Sequence, residues 1–369
     1  MDWLTGVLFF AGIALLVFGA NWLVTGASAV AAAAGVSSLV IGLTVVAYGT
    51  SAPEVAVTVQ AAWAGKADLA VANVVGSNIF NVLFILGAAA AVTPLAVARQ
   101  LVRRDVPLMI GLSAALWFML RDGLLNRLDG VLLVTGLVAY TVFIVRQSRR
   151  EQNQASGAPG APSAPDAESA SAPTRERPLL LSVGFVLGGL ALLVVGSKWL
   201  VDGAVAFAQW WGISDVVVGL TIVAAGTSLP EVATSIIAAL RGERDIAVGN
   251  VVGSNLFNIM GALGVSAGVA PSGLGVPPSM VTFDVPVMIG VAVVCLPFFA
   301  RGFTIPRWQG ALFLASYLAY TTYLVLDATK NAAKDRYGAV MIGYVLPITA
   351  LTLAFLGWRV WRRRHTAGA

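Results

Sequence analysis

The chain has 369 residues, of which 58% are hydrophobic and 11% charged, with a formal net charge of +5 and a mean hydropathy of +0.85. A soluble globular domain carries about 25% charged residues, so composition excludes that class and indicates a polytopic membrane protein. A single cysteine, Cys295, excludes an intramolecular disulfide framework, and a single histidine, His365, excludes a multi-histidine metal site.

The apolar segments are continuous blocks of about 20 residues or more, long enough to cross a bilayer as helices. A β-barrel would show alternating segments of about ten residues instead. The first block, around Leu8 to Val24, has no basic stretch before it and recurs later in the chain. It is therefore expected to be a retained helix and not a cleaved leader. Predicted helices follow at 4–31, 38–64, 69–95, 105–121 and 129–147. Residues 151–177, rich in Ala, Pro, Ser and Gly with no apolar period, are expected to form a disordered linker. A second set of helices is predicted at 179–208, 215–240, 246–270, 281–300 and 306–326, and an eleventh span at about 339–358.

Residues 19–87 align with 196–264 without a gap, with 39 of 69 positions identical. Matching pairs include Trp22 with Trp199, Gly35 with Gly212, Asn73 with Asn250, Ser77 with Ser254 and Asn81 with Asn258. Farther on, Asp105-Val106-Pro107 matches Asp284-Val285-Pro286, each followed by an apolar residue and Met-Ile-Gly. Five helices is an odd number, so the second copy enters the membrane from the opposite side. The expected fold is an all-α polytopic membrane protein of two inverted five-helix repeats, ten core helices, plus an extra C-terminal span. The expected organisation is 1–150 and 178–327 for the two repeats, a cytoplasmic linker at 151–177, and 328–369 for the last span and basic tail. This topology puts sixteen basic residues on one face and six on the other. The positive-inside rule then places the N-terminus outside and the linker and C-terminus in the cytoplasm. Short loops suggest a bacterial inner membrane.

The chemistry is concentrated in Gly49-Thr50-Ser51-Ala52-Pro53-Glu54 and its duplicate Gly226-Thr227-Ser228-Leu229-Pro230-Glu231. A carboxylate inside a bilayer helix costs about 2.5 kcal/mol or more to insert and marks a functional site by default. Thr50, Ser51 and Glu54 share one helix face, as do Thr227, Ser228 and Glu231. Pro53 and Pro230 lack an N–H and loosen the preceding turn, so that carbonyls such as those of Ala47 and Ala224 become available as ligands. The next helix of each copy adds Ser77, Asn78 and Asn81, or Ser254, Asn255 and Asn258. Pooled, these are oxygen donors without sulfur or imidazole, suited to Ca²⁺, Na⁺ or Mg²⁺, with Ca²⁺ favoured because its coordination geometry is loose. Lys198 and Asp202, four apart in the sixth helix, are expected to form an internal ion pair. Asp105 and Asp284, two residues before a proline, are expected to act as helix caps.

The doubled Gly-Thr-Ser-x-Pro-Glu segments, each followed by Gly-Ser-Asn at 76–78 and 253–255, resemble the two α-repeats of the cation/Ca²⁺ exchanger superfamily, and the prokaryotic Na⁺/Ca²⁺ exchangers in particular. The resemblance covers both repeats and leaves out the linker and the eleventh span. It implies a secondary antiporter, not an enzyme, that moves Ca²⁺ against Na⁺ by alternating access, with the first and sixth helices sliding across a more static core. The ion ligands it implies are Thr50, Ser51, Glu54, Ser77 and Asn81 with Thr227, Ser228, Glu231, Ser254 and Asn258. Carbonyls of Ala47 and Ala224 would join the outer sodium sites. The chain departs from the pattern at Asn258, where the structurally best-described member of this kind has Asp, a group that titrates as Asn does not. An H⁺/Ca²⁺ exchanger of the same fold is the alternative, and a cation channel a more distant one. No cofactor, nucleic acid or obligate protein partner is implied, only the transported cations and the lipid bilayer.

Overall fold

The computed structural model describes residues 3–156, 178–300, 302–341 and 343. Helix α1 (Trp3–Ala34) is predominantly apolar. It is followed by α2 (Ser38–Thr50), whose start is capped by the Ser37 hydroxyl accepting from the Val40 N–H at 3.3 Å. The chain then bends by 47° into α3 (Ala52–Trp63). Pro53 sits in the first turn of α3, where its missing N–H is not needed. The expected span over 38–64 is thus two helices hinged at Ser51. Next come α4 (Ala67–Val92), α5 (Val106–Met119) and α6 (Arg127–Ser156).

The second copy repeats this order. It consists of α7 (Leu179–Trp210), α8 (residues 215–226), α9 (Leu229–Leu240), α10 (Arg244–Val269), α11 (Met280–Ala300) and α12 (Arg307–Ala328). A further helix, α13 (Ala333–Val340), ends where the eleventh span was expected to begin, and most of that span lies outside the described residues. Among the described residues, seven helices are long and apolar enough to cross a membrane, or eight if α2 and α3 count as one broken span. Most of the expected linker also lies outside the described residues. Its first six residues are the end of α6, which runs past the predicted stop at 147 and is joined there by a Gln147 amide donating to Glu151 at 2.6 Å.

π-helical turns recur at matching places in the two copies: Gly42–Val46 with Gly219–Val223, Asn81–Leu86 with Asn258–Leu263, and Leu101–Asp105 with Met280–Asp284. Such turns insert one residue into the helical ladder and rotate the stretch of helix beyond them. The copies are joined by two short antiparallel ribbons. Strand β1 (Leu95–Ala96) pairs with β4 (Thr304–Ile305), and β2 (Leu124–Leu125) with β3 (Leu274–Gly275). Each ribbon takes one strand from each copy.

Helices α4 and α10 form the centre, and α10 is buried almost throughout. Helices α1 and α7 lie together along one side. Gly12, Gly19 and Gly26 meet Gly196, Gly189 and Ser182 at seven-residue steps, so the two backbones nearly touch. A Cβ on Gly19 would lie 2.8 Å from the Gly189 carbonyl oxygen.

Two expectations are corrected. Asp105 makes no capping hydrogen bond. It accepts instead from the Tyr140 hydroxyl at 3.0 Å and the Gln100 amide at 3.2 Å, and Asp284 accepts from Tyr320 at 2.9 Å. The π turn that ends at each aspartate carries its side chain away from the helix start and toward the next helix. Lys198 and Asp202 are exposed on α7, and among the described residues the one ion pair is Lys334–Asp327. The first-copy equivalents, Asn21 and Thr25, accept from the Arg241 guanidinium at 2.9 and 2.7 Å through the Asn21 carbonyl and the Thr25 hydroxyl.

Gly19→Leu is expected to destabilise the protein by about 1–3 kcal/mol or more through overpacking against Gly189, seen as a lower thermal midpoint in detergent. The same substitution at Gly184, which has open space around it, is expected to leave the midpoint near that of the unchanged protein.

Candidate functional site

The hinges between α2 and α3 and between α8 and α9 put Glu54 and Glu231 in the first turn of a helix, where the unpaired N–H groups and the helix dipole favour negative charge. Ser51 and Ser228 occupy the N-cap positions of these helices, yet neither side chain caps. Each crosses to the other copy. The Ser51 hydroxyl donates to Glu231 Oε1 at 2.8 Å, and the Ser228 hydroxyl donates to Glu54 Oε1 at 2.7 Å. Both carboxylates are fully buried and close enough to repel each other when both are charged.

Helices α4 and α10 hold the hinge segments from behind. The Asn73 amide donates to Thr58 at 3.0 Å and to the Glu54 carbonyl at 3.4 Å. Asn250 repeats this with Ser235 at 2.9 Å and the Glu231 carbonyl at 3.5 Å. Asn250 also accepts from the Thr50 hydroxyl at 3.1 Å, and the Thr50 hydroxyl in turn lies 3.3 Å from the Ala47 carbonyl. Ser77 lies 3.4 Å from the Ser228 hydroxyl. Below these, Asn81 Nδ2 donates to Asn255 Oδ1 at 3.0 Å, and Asn258 Nδ2 donates to Asn78 Oδ1 at 3.2 Å. The two copies thus exchange a second pair of hydrogen bonds.

All the side chains expected to act as ligands gather in this one region, between the hinges and the middle of α4 and α10. Six buried oxygens there have no protein hydrogen-bond partner: Glu54 Oε2, Glu231 Oε2, Asn81 Oδ1, Asn258 Oδ1, Thr227 Oγ and Ser254 Oγ. An unpaired buried oxygen costs about 1–3 kcal/mol, and more if charged. Together, with two of the six on carboxylates, they make an oxygen donor set that a hard cation would satisfy.

The copies are not equivalent around this set. Ala47 is fully buried, and Gly253 packs against it so closely that an added Cβ would lie 2.8 Å from Ala47 Cβ. Ala224 is exposed, and a Cβ on Gly76, the counterpart of Gly253, would meet nothing within 4 Å. The Ser51 amide donates to the Ala47 carbonyl at 3.0 Å, whereas the Ser228 amide donates to Ala225 and not to Ala224. Asn73 and Asn250 have a role that the sequence marked only as a matched pair. Their spacing of 19 residues from Glu54 and Glu231 was the available signal, one that only the fold turns into a contact.

A family model described as sodium/calcium exchanger protein matches residues 4–146 and 181–326. The chain is 42% identical to the putative antiporter CaxA of Alkalimonas amylolytica over 260 residues, 70% of this chain and 79% of that protein. It is 35% identical to the sodium/calcium exchanger MaX1 of Methanosarcina acetivorans over 339 residues, 85% of this chain and 96% of the relative. A solved structure of the sodium-calcium exchanger NCX_Mj soaked with Na⁺ and Ca²⁺ superposes with a TM-score of 0.71 and 31% identity, covering 86% of this chain and 97% of that one.

Ser51→Ala removes the hydroxyl that donates to Glu231 Oε1 at 2.8 Å and is expected to cost about 1–3 kcal/mol in chemical denaturation without added cations. Ser266→Ala removes a buried hydroxyl that has no partner and is expected to change stability by no more than about 0.5 kcal/mol.

Proposed function

The chain belongs to the sodium/calcium exchanger protein family, and from that premise we propose that it is a secondary antiporter exchanging Ca²⁺ for Na⁺ at one site centred on Glu54 and Glu231. The family is one of multi-pass membrane exchangers and not of enzymes. The observation that carries the reading is the set of six unpartnered buried oxygens around two carboxylates held by each other's copy. One divalent ion, or sodium ions in its place, neutralises the pair. An empty site leaves two buried anions facing each other, which raises the energy of any rearrangement made without cargo.

On this reading the ligands are Thr50, Ser51, Glu54, Ser77 and Asn81 together with Thr227, Ser228, Glu231, Ser254 and Asn258. The carbonyls of Ala47 and Ala224 serve sodium, and residues 1–150 and 178–327 are the two repeats. The protein works by alternating access in a bacterial inner membrane, with its N-terminus outside and its linker and tail in the cytoplasm. Supporting this is the inequality of the copies: the Ala47 side is packed shut by Gly253, while the Ala224 side is exposed. With the N-terminus outside, the exposed side is the outer one. The exchanger names carried by MaX1 and NCX_Mj support the choice of ions.

The test is ⁴⁵Ca²⁺ uptake into proteoliposomes loaded with Na⁺, against liposomes loaded with K⁺ or choline at equal pH. Uptake is expected to require internal Na⁺ and to fall to background in Glu54→Gln and in Glu231→Gln. Wild-type uptake in either variant would overturn the site. Uptake that ignored Na⁺ and followed a pH gradient would make the protein a proton/Ca²⁺ exchanger.

A further inference from the structure

The repeated Asp-Val-Pro-x-Met-Ile-Gly segment puts Met109 on α5 and Met288 on α11, both buried. Neither side chain is spent on apolar packing alone. Met109 Sδ lies 3.4 Å from Asn255 Nδ2, and Met288 Sδ lies 3.6 Å from Asn78 Nδ2. A thioether sulfur is a weak acceptor with no hydrogen to give. The atom of a buried amide that faces it is therefore the NH₂ and not the oxygen.

That choice propagates. With Asn255 Nδ2 turned to Met109, its Oδ1 faces Asn81 and takes the Asn81 Nδ2 hydrogen at 3.0 Å. Asn81 then has its own Oδ1 left over, buried and without a protein partner. The same relay runs from Met288 through Asn78 to Asn258, whose Oδ1 is also left over. A flipped Asn255 or Asn78 would oppose an amide NH₂ to an amide NH₂, turning Asn81 or Asn258 so that a donor instead of an oxygen is the group left over.

We propose that Met109 and Met288 are positioning residues of the cation site, their sulfurs fixing the amide orientation of Asn255 and Asn78 and hence that of Asn81 and Asn258. The inference deepens the reading of the site given above and rests on it. The two relays are unequal. Asn78 Nδ2 has a second acceptor, the Asn255 carbonyl at 3.3 Å, whereas the acceptor that the described residues provide to Asn255 Nδ2 is Met109. Loss of the Met109 sulfur therefore releases its relay, and loss of the Met288 sulfur leaves the other largely held.

The experiment uses full-length protein in proteoliposomes, with the half-saturating Ca²⁺ concentration, maximal rate and thermal midpoint measured for each variant. Met109→Leu keeps the volume and removes the acceptor. It is expected to raise half-saturation roughly three- to tenfold, the equivalent of one neutral hydrogen bond, with maximal rate and thermal midpoint unchanged. Met288→Leu is expected to change half-saturation less than about twofold, and Met109→Gln, which restores an acceptor of similar reach, to stay near wild type. In an Asn81→Ser background Met109→Leu is expected to have no further effect, because the oxygen it orients is gone. An unchanged half-saturation in Met109→Leu, a larger effect from Met288→Leu, failure of Met109→Gln to rescue, or an additive effect in the Asn81→Ser background would each overturn the proposal while leaving the exchanger intact. A wild-type protein that takes up no Ca²⁺ in any gradient would instead remove the exchanger reading beneath it.

Discussion

Two hydrogen bonds, from Ser51 to Glu231 and from Ser228 to Glu54, set the terms for the rest of the structure. Each copy supplies the carboxylate that the other copy orients, so neither half contains a finished site. Two buried carboxylates near each other are an unfavourable arrangement in a low-dielectric interior. The surroundings are built around that fact. The carboxylates stand at the N-termini of α3 and α9, their backbone carbonyls are held by Asn73 and Asn250, and their second oxygens are buried without a hydrogen-bond partner.

The backbone departs from regular helix at the places this arrangement needs. The hinge at Ser51 turns the chain by 47° and brings a hydroxyl and a carboxylate three residues apart toward the opposite copy. The π turns that begin at Asn81 and Asn258 lie where the cross-copy amides are exchanged, and those ending at Asp105 and Asp284 turn each aspartate toward a tyrosine of the next helix. Because the π turns recur at matching places in both copies, the duplication reproduces local geometry as well as residue identity.

Much of this is readable before any coordinates. The gap-free duplication leads directly to an inverted repeat, and the two glutamates in an apolar context point to the region where the copies meet, because charge in a bilayer needs a reason and a duplicated charge needs the same reason twice. The residues that escape such reading depend on geometry beyond one helix. Asn73 and Asn250 act 19 residues away from the carbonyls they hold. Asp105 has the spacing of a cap, but the π turn ending at it has no clear signature in composition, and that turn decides where the side chain goes. Lys198 and Asp202 satisfy the four-residue rule for a pair, but the expected internal pair presumed that both are buried, whereas both are exposed on α7, where such a pair gains little.

The glycine contacts between α1 and α7 govern how that pair answers a load. Their backbones touch at steps of seven residues, about 10 Å along the axis at 1.5 Å per residue. Between those steps larger side chains stand in the way, so sliding one helix on the other by less than a full step presses side chains into backbone. The register is therefore notched, with adjacent settings far apart. Two helices of 32 residues locked in this way behave as one two-ply beam, stiffer than either ply, and a push delivered at one end arrives at the other with little lost to bending.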